Sequence, residues 1–271
     1  MNDAPIGIFD SGIGGLTVMR ALVAQLPNEQ FVYLGDTARL PYGTKSADTV
    51  TKYAVQAAAA LMKRKVKMLV VACNTASAVA LPELEKMFVP VPVIGVIIPG
   101  AEAAVAAAPN GPIAVIATEG TVKGGAYVRA IEDHGRSIPV IQQACPLFVA
   151  IAEEGLVEGE IAEAIARRYL APVLAAVPRA KALVLGCTHF PALKETIAKI
   201  VGPEIVLVDS AATTARAVEQ RLAKRGLINT TGGGSHRFLA TDAPDRFARV
   251  GEIFLGQPID PGSVELVDLQ A

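Results

Sequence analysis

The chain reads Lys67-Met68-Leu69-Val70-Val71-Ala72-Cys73, and 114 residues later it reads Lys181-Ala182-Leu183-Val184-Leu185-Gly186-Cys187. Each run of branched aliphatic residues is typical of a strand that is buried on both faces of a parallel sheet. Residues 5–11 also resemble 112–118, and residues 91–96 resemble 204–209, at similar offsets. These offsets are much longer than solenoid repeats, so the pattern indicates an internal duplication into two similar α/β halves.

The composition indicates a globular protein with an aliphatic core. Hydrophobic residues make up 52% of the chain and aromatic residues only 5%, which favours helices packed on a buried sheet. The net charge is -1 and no long Lys/Arg run occurs, so neither nucleic acid nor an anionic membrane surface is predicted as a partner. Residues 89–101 are apolar, but Pro90, Pro92 and Pro99 interrupt them, and the run is too short and broken to span a membrane.

Aliphatic runs alternate with helical periods along the chain, which predicts parallel βα units. We expect strands at residues 6–9, 31–34, 68–72 and 93–97, a helix at 49–62, a later helix at 211–225 and a last strand at 237–241. The predicted fold class is α/β, with two pseudo-symmetric parallel-sheet domains and an active site in the cleft between them. The residues alone do not fix which half the C-terminal segment joins. Because chain termini often lie close together, we predict a first domain of residues 1–97 plus 210–271 and a second of residues 98–209.

A cysteine follows a predicted strand and precedes a predicted helix in each half. Parallel sheets bind ligands at the carboxyl ends of their strands, and a helix N-terminus attracts anions and lowers the pKa of a thiol from about 8.5 toward neutrality. A single cysteine of this kind is more often a small buried hydrophobic residue. Cys73 and Cys187 occupy equivalent positions, however, and would approach one ligand from opposite sides. That arrangement suits inversion at a carbon acid, with each acid or base contributing about 10²–10⁴-fold.

Redox and disulfide chemistry of the cysteines is less well supported. A redox pair would need a C-x-x-C pattern, which is missing, and Cys145 has no repeat partner and is interpreted as structural. Three distant cysteines do not make a disulfide framework, so a reducing cytoplasm is the predicted location.

Polar residues follow both cysteines, namely Asn74 and Thr75 in the first half and Thr188 and His189 in the second. They can bond a carboxylate or an ammonium group, although Asn and Thr also cap helices and a lone His is often a satisfied buried residue. Asp10 precedes a glycine turn in which Thr17 stands where a dinucleotide fingerprint needs its third glycine, so we interpret Asp10 as a ligand contact or an orienting base. No metal-ligand spacing and no pyridoxal-phosphate lysine stand out, and we predict no cofactor.

Four segments of the chain, residues 7–16, 33–43, 71–78 and 185–191, closely resemble glutamate racemases within the aspartate/glutamate racemase superfamily. The resemblance covers nearly the whole chain. It implies that Cys73 and Cys187 are the catalytic thiols, with Asp10, His189 and Glu153 as supporting ionisable groups of the catalytic site. It also implies substrate contacts from Asp10, Ser11, Pro41, Tyr42, Gly43, Asn74, Thr75, Thr121, Thr188 and His189.

This resemblance further implies cofactor-independent interconversion of L- and D-glutamate for peptidoglycan synthesis, a C-terminal tail that returns to the first domain, and a homodimer. It assigns the proton of the D-enantiomer to Cys73 and that of the L-enantiomer to Cys187. One alternative is a racemase of aspartate or another amino acid, which would share both thiols. A more distant alternative is a non-enzymatic protein that binds a small anion, for which two thiols would be unnecessary.

Overall fold

The N-terminal part of the chain alternates strands with helices, as the aliphatic runs predict. The computed structural model describes residues 3–134 and 138–269. Its first elements are β1 (Ile6–Asp10), α1 (Leu16–Gln25), β2 (Gln30–Gly35), α2 (Ala47–Met62), β3 (Met68–Val71), α3 (Asn74–Val79), α4 (Leu81–Met87) and β4 (Val93–Gly95). Strands β1, β3 and β4 are buried along their whole length, which explains their unbroken aliphatic sequences.

The middle of the chain repeats this pattern. Its elements are α5 (Ile97–Ala107), β5 (Ile113–Ala117), α6 (Glu119–Gly124), α7 (Ala126–Glu132), β6 (Val140–Ala144), α8 (Leu147–Glu153), α9 (Glu160–Ala176), β7 (Ala182–Gly186), α10 (Lys194–Val201) and β8 (Val206–Asp209). The remaining elements are α11 (Ser210–Arg225), β9 (Ser235–Ala240), α12 (Pro244–Leu255) and β10 (Val264–Leu266). Short 3-10 turns lie at Thr37–Arg39, Tyr42–Thr44, Phe190–Leu193 and Pro261–Ser263.

The strands form two parallel sheets with the same internal order. The first sheet is ordered β10-β9-β2-β1-β3-β4 and the second β6-β5-β7-β8, so the core of each has its first strand between its second and third. The predicted fold class, with two pseudo-symmetric parallel-sheet domains, is confirmed. The C-terminal strands extend the first sheet, because β9 pairs with β2 and β10 pairs with β9. The exact domain boundaries stay a prediction, and residues 1–2, 135–137 and 270–271 within them lie outside the described residues.

Two strand predictions are wrong in detail, and one helix was not predicted. The strand expected at residues 93–97 ends at Gly95, and Ile97 already begins α5. Helix α5 can still contain Pro99, because N–H groups in the first turn have no partner within the helix. The strand expected at residues 237–241 is Ser235–Ala240, and it is followed by β10 rather than being the last. Helix α12 was not predicted, although its buried Phe247, Val250 and Phe254 follow a helical spacing.

The two sheets have equivalent strand ends where a ligand could bind. In each half the strand order reverses at the first strand, between β1 and β3 and between β5 and β7, and ligands bind outside the carboxyl ends at such points. Cys73 lies just beyond β3 and Cys187 just beyond β7. Of the helices in the described ranges, none is long and apolar enough to cross a membrane.

Candidate active site

Cys73 lies between a buried strand and the helix that follows it. It is the N-cap of α3, and its Sγ accepts a hydrogen bond from the backbone N–H of Ala76 at 3.4 Å. Only 4% of its surface is exposed. The thiol is thus fixed at the carboxyl edge of the first sheet, where the sequence predicts it.

The pKa of Cys73 differs from the expectation. Burial raises it to about 12, and the nearby carboxylate of Asp10 raises it as well, against the hydrogen bonds from Ala76 and Ser11. The predicted lowering by a helix N-terminus is therefore wrong for this thiol, because removing it from water outweighs the favourable N–H groups.

Cys187 occupies the equivalent position in the second half and has an ionisable neighbour. Its Sγ lies 3.8 Å from Nδ1 of His189, and Nε2 of the same imidazole lies 3.0 Å from Oε1 of Glu153. Burial alone disfavours an imidazolium, but hydrogen bonds to Cys187 and Glu153 raise the pKa of His189 to about 10. The pKa of Glu153 is lowered: its burial opposes the shift, but His189 and Arg246 outweigh it. The structure thus brings Cys187, His189 and Glu153 together, and their catalytic roles stay a prediction.

Asp10, at the end of β1, is fully buried and faces both halves. Its Oδ2 accepts a hydrogen bond from the N–H of Gly12 at 3.0 Å, and Thr188 Oγ1 lies 3.5 Å from its Oδ1. Burial raises the pKa of Asp10, although the positive charge of His189 acts in the opposite direction. The carboxyl group therefore lies where its charge influences Cys73, with His189 beside it.

The glycine turn after β1 allows the two halves to approach closely. A Cβ atom at Gly14 would lie 2.7 Å from Oγ1 of Thr188 and would overlap the imidazole of His189. Thr17, just beyond the turn, donates a hydrogen bond to the carbonyl oxygen of Thr188 at 3.0 Å. The turn therefore packs directly against the second half of the protein.

Hydroxyl and amide side chains connect the two halves on the Cys73 side. Thr75 Oγ1 lies 3.0 Å from Oγ1 of Thr118 and 3.3 Å from Oγ1 of Thr121. Tyr127 donates a hydrogen bond to Oδ1 of Asn74 at 2.8 Å. Nδ2 of Asn74 is buried and has no hydrogen-bond partner within the described part of the chain, which leaves one donor for a ligand.

The segment Pro41-Tyr42-Gly43 reaches the same group of side chains through its backbone. Pro41 is exposed, whereas Tyr42 is fully buried and its hydroxyl donates to the carboxylate of Asp36. A Cβ atom at Gly43 would lie 2.8 Å from Cβ of Thr118, so this glycine packs tightly against the second half. Any contact between this segment and a ligand must therefore use something other than the Tyr42 hydroxyl.

Three neighbours of the site were missed by the sequence reasoning. Arg246 Nη2 lies 3.0 Å from Oε2 of Glu153, and the ring of Phe254 meets the His189 imidazole edge-on with centroids 5.0 Å apart. Tyr127 is the third, through its bond to Asn74. Arg246 and Phe254 lie on α12, which was not predicted. The helical spacing of its apolar residues is the sequence signal that could have located them.

Cys145 lies near enough to Cys187 to feel its charge, but within the described residues it has no hydrogen bond to the side chains of this group. It is buried beyond β6, its Sγ lies 3.7 Å from the carbonyl oxygen of Gln143, and burial raises its pKa well above the ordinary value. A protonated, buried thiol of this kind fits a structural role. Within residues 3–134 and 138–269, no cluster of three or more His, Cys, Asp or Glu side chains could hold a metal ion.

Known proteins similar to this chain share its length and fold. A glutamate racemase from Geobacter metallireducens is 48% identical over 267 residues, which cover 98% of this chain and 97% of the relative. The crystal structure of glutamate racemase from Francisella tularensis in complex with D-glutamate has a TM-score of 0.92 at 40% identity, with 99% of both chains covered. A glutamate racemase from Bacillus anthracis has a TM-score of 0.94 at 35% identity, again with 99% of both chains covered.

A family model described as Asp/Glu/Hydantoin racemase matches residues 6–218, which is well over half of the chain. The matched range contains both cysteines and their ionisable neighbours Asp10, Glu153 and His189. The family match, the similarity over nearly the whole chain and the shared fold agree, and the chain belongs to the Asp/Glu/Hydantoin racemase family.

Proposed function

We propose that this protein interconverts L- and D-glutamate by proton transfer at Cα between two cysteines, without a cofactor. The observation that carries the proposal is the pair of buried thiols, Cys73 and Cys187, which follow equivalent strands of the two sheets and lie close enough for their charges to interact. The substrate is inferred from relatives at 40–48% identity that are glutamate racemases, one of which was crystallised with D-glutamate.

The proton balance of the reaction is simple. One sulfur, as a thiolate, removes the Cα proton and leaves an electron pair that is delocalised into the α-carboxylate. The opposite thiol then delivers its proton to the other face of Cα, so that the two sulfurs exchange protonation states and the substrate is inverted. We assign removal of the D-enantiomer's proton to Cys73 and that of the L-enantiomer to Cys187.

Each thiol has a different ionisable partner. Asp10 lies near Cys73, where its carboxylate can orient the substrate ammonium group. His189, as an imidazolium, can donate its Nδ1–H toward Cys187, and Glu153 holds the other ring nitrogen. This assignment gives the two half-reactions different supporting groups around a common carbon atom.

The substrate's polar groups would be held by side chains from both halves. Ser11, Asn74, Thr75, Thr121 and Thr188 offer hydroxyl and amide groups around the thiols, and Gly43 offers backbone groups. The buried Nδ2 of Asn74 has no partner within residues 3–134 and 138–269, which supports this placement, because a buried donor without a partner is costly unless a ligand satisfies it. The exposed Pro41 and the engaged hydroxyl of Tyr42 favour a role for that segment in shaping the cleft.

The cellular setting is proposed from the resemblance alone. D-glutamate made in the cytoplasm would supply peptidoglycan synthesis, and the protein would act as a homodimer. Sedimentation analysis of the purified protein tests the dimer, and a monomer at micromolar concentration that retains full activity would overturn it.

Solvent-deuterium incorporation tests the reaction directly. Purified protein in heavy water, without added metal or pyridoxal phosphate, should convert L-glutamate into D-glutamate that carries deuterium at Cα, while substrate recovered early carries little. Aspartate, run in parallel, should react far more slowly. Preference for aspartate, or binding of glutamate without exchange of the Cα proton, would overturn the proposal.

A further inference from the structure

The carboxylate of Glu153 is held from two sides. Its Oε1 contacts Nε2 of His189 at 3.0 Å, and its Oε2 contacts Nη2 of Arg246 at 3.0 Å. Glu153 is the last residue of α8 in the second half, and its side chain is only 11% exposed. A carboxylate with both oxygens engaged cannot rotate freely about its terminal torsion, which is otherwise broad. Arg246 therefore limits how Glu153 can face His189.

Helix α12 brings Arg246 to this place from the other half of the protein. The helix belongs to the C-terminal segment whose strands β9 and β10 extend the first sheet. Its Phe247 packs against Tyr33 of β2 with ring centroids 5.9 Å apart, and its Phe254 meets the ring of His189 at 5.0 Å. The helix is thus anchored on the first sheet and contacts both members of the pair formed by His189 and Glu153.

We propose that Arg246 is a positioning residue for proton transfer at Cys187, acting through Glu153 and His189. The proposal rests on the proposed racemisation. The side chain whose charge affects Cys73 most is Asp10 on β1, and within residues 3–134 and 138–269 Asp10 forms no ion pair with a lysine or an arginine. Loss of Arg246 should therefore slow one of the two proton transfers and leave the other nearly unchanged.

The expected effect is moderate because the arginine is partly exposed. The side chain of Arg246 is 43% exposed, and exposed ion pairs contribute little, whereas hydrogen bonds to buried charged groups contribute more. We expect Arg246→Gln to lower kcat/KM by about two- to tenfold. The decrease in kcat/KM must be the same for L- and for D-glutamate, because the two enantiomers have equal free energies in solution.

Kinetic isotope effects distinguish this role from a general structural one. With glutamate deuterated at Cα, the isotope effect on kcat/KM reports how far removal of that atom limits the rate. If transfer at Cys187 slows, the isotope effect should increase for the enantiomer whose proton Cys187 removes. The isotope effect should decrease for the other enantiomer, because the limiting step then becomes delivery of the Cys187 proton, which does not involve the deuterium atom. A structural defect would move both isotope effects together or neither.

Three variants complete the design. Arg246→Lys retains a positive charge and should recover at least part of the lost activity. Arg249→Gln removes an exposed charge one turn further along α12 and should leave both rate and isotope effects unchanged. In a Glu153→Gln background, Arg246→Gln should have little further effect, because residues that act through one another are not additive. Thermal unfolding of each variant checks that the fold is retained.

Two outcomes would overturn the proposal while the wild-type protein still racemises glutamate. One is an Arg246→Gln variant with wild-type kcat/KM, or with isotope effects that move together. The other is a full additional loss when Arg246→Gln is added to Glu153→Gln. Failure of the wild-type protein to racemise glutamate would instead refute the proposed function, so the two failures are separate.

Discussion

The hydrogen bond between Tyr127 and Asn74 offers a sharp test of how the cleft holds its ligand. Tyr127, on α7, is fully buried and donates to Oδ1 of Asn74 at 2.8 Å, while Asn74 follows Cys73 directly and is 3% exposed. This bond fixes which end of the carboxamide is engaged, and among the described residues Nδ2 has no hydrogen-bond partner. Tyr127→Phe removes only the hydroxyl oxygen and leaves the ring that packs beside Gly100 and Gly186.

The magnitude follows from the burial of both partners. A buried carbonyl oxygen that loses its donor costs about 1–3 kcal/mol, and 1.4 kcal/mol corresponds to about tenfold in an equilibrium constant. If this free energy is lost mainly because the Asn74 amide is misoriented, the KM for glutamate should rise about fivefold or more while kcat changes less. The melting temperature should fall by about 2 °C or more per kcal/mol.

Steady-state racemisation, followed by circular dichroism in both directions, measures KM and kcat. Tyr169→Phe is the matched control, because its hydroxyl accepts a hydrogen bond from the backbone N–H of Leu147 at 3.2 Å in a more exposed part of the same half. That variant should keep the wild-type KM. A Tyr127→Phe protein with unchanged KM and kcat but lowered melting temperature would refute a role for this bond in ligand binding.

Three further predictions concern the thiols and the stability of the fold. Cys73→Ala and Cys187→Ala should each lower racemisation by at least the 10²–10⁴-fold typical of one acid or base, measured by circular dichroism. Asp10→Asn should lower the pKa of Cys73 and so speed its alkylation by iodoacetamide at pH 8, because the carboxylate charge helps to raise that pKa. Lys67→Met should cost about 3–5 kcal/mol in urea unfolding, since Nζ of Lys67 lies 2.6 Å from Oε2 of Glu29 and both side chains are buried.

Each of these has a control and an outcome that contradicts it. Cys145→Ala should retain near wild-type activity, and a Cys187→Ala protein as active as Cys145→Ala would rule out the two-thiol mechanism. For alkylation, peptide mass spectrometry should locate the added label at Cys73; an unchanged rate in Asp10→Asn would show that the carboxylate does not control this thiol. For Lys67, an exposed lysine such as Lys52 changed to Met is the comparison, and equal unfolding free energies would mean that the buried pair contributes nothing.

The parallel sheets and both thiols could be predicted because their signals are local. An unbroken aliphatic run indicates a strand with two covered faces, and its recurrence with a terminal cysteine identifies the duplication without any long-range information. The Arg246–Glu153 contact joins residues 93 positions apart, and the Tyr127–Asn74 bond joins residues 53 positions apart. The residue types in these contacts do not indicate which distant residue each side chain will meet. The depth at which Cys73 is buried likewise depends on how the two halves assemble. The position of Cys73 at a helix N-terminus therefore does not predict that its pKa is raised.

The duplication retains the two thiols but not their neighbours. Alignment of the halves pairs Asp10 with Ala117 and Thr75 with His189, so an acid stands near one thiol and an imidazole near the other. In the free protein at neutral pH, Cys73 holds its proton, since burial and the charge of Asp10 raise its pKa to about 12. A substrate ammonium group beside Asp10 would offset that negative charge and make the Cys73 proton easier to remove. Binding of the amino acid would then reduce the part of the Cys73 pKa shift that Asp10 causes, while the larger part, which burial causes, would remain. The alkylation rate of the Asp10→Asn variant tests how strongly the Asp10 charge affects Cys73, because that substitution removes the same charge that the ammonium group would offset.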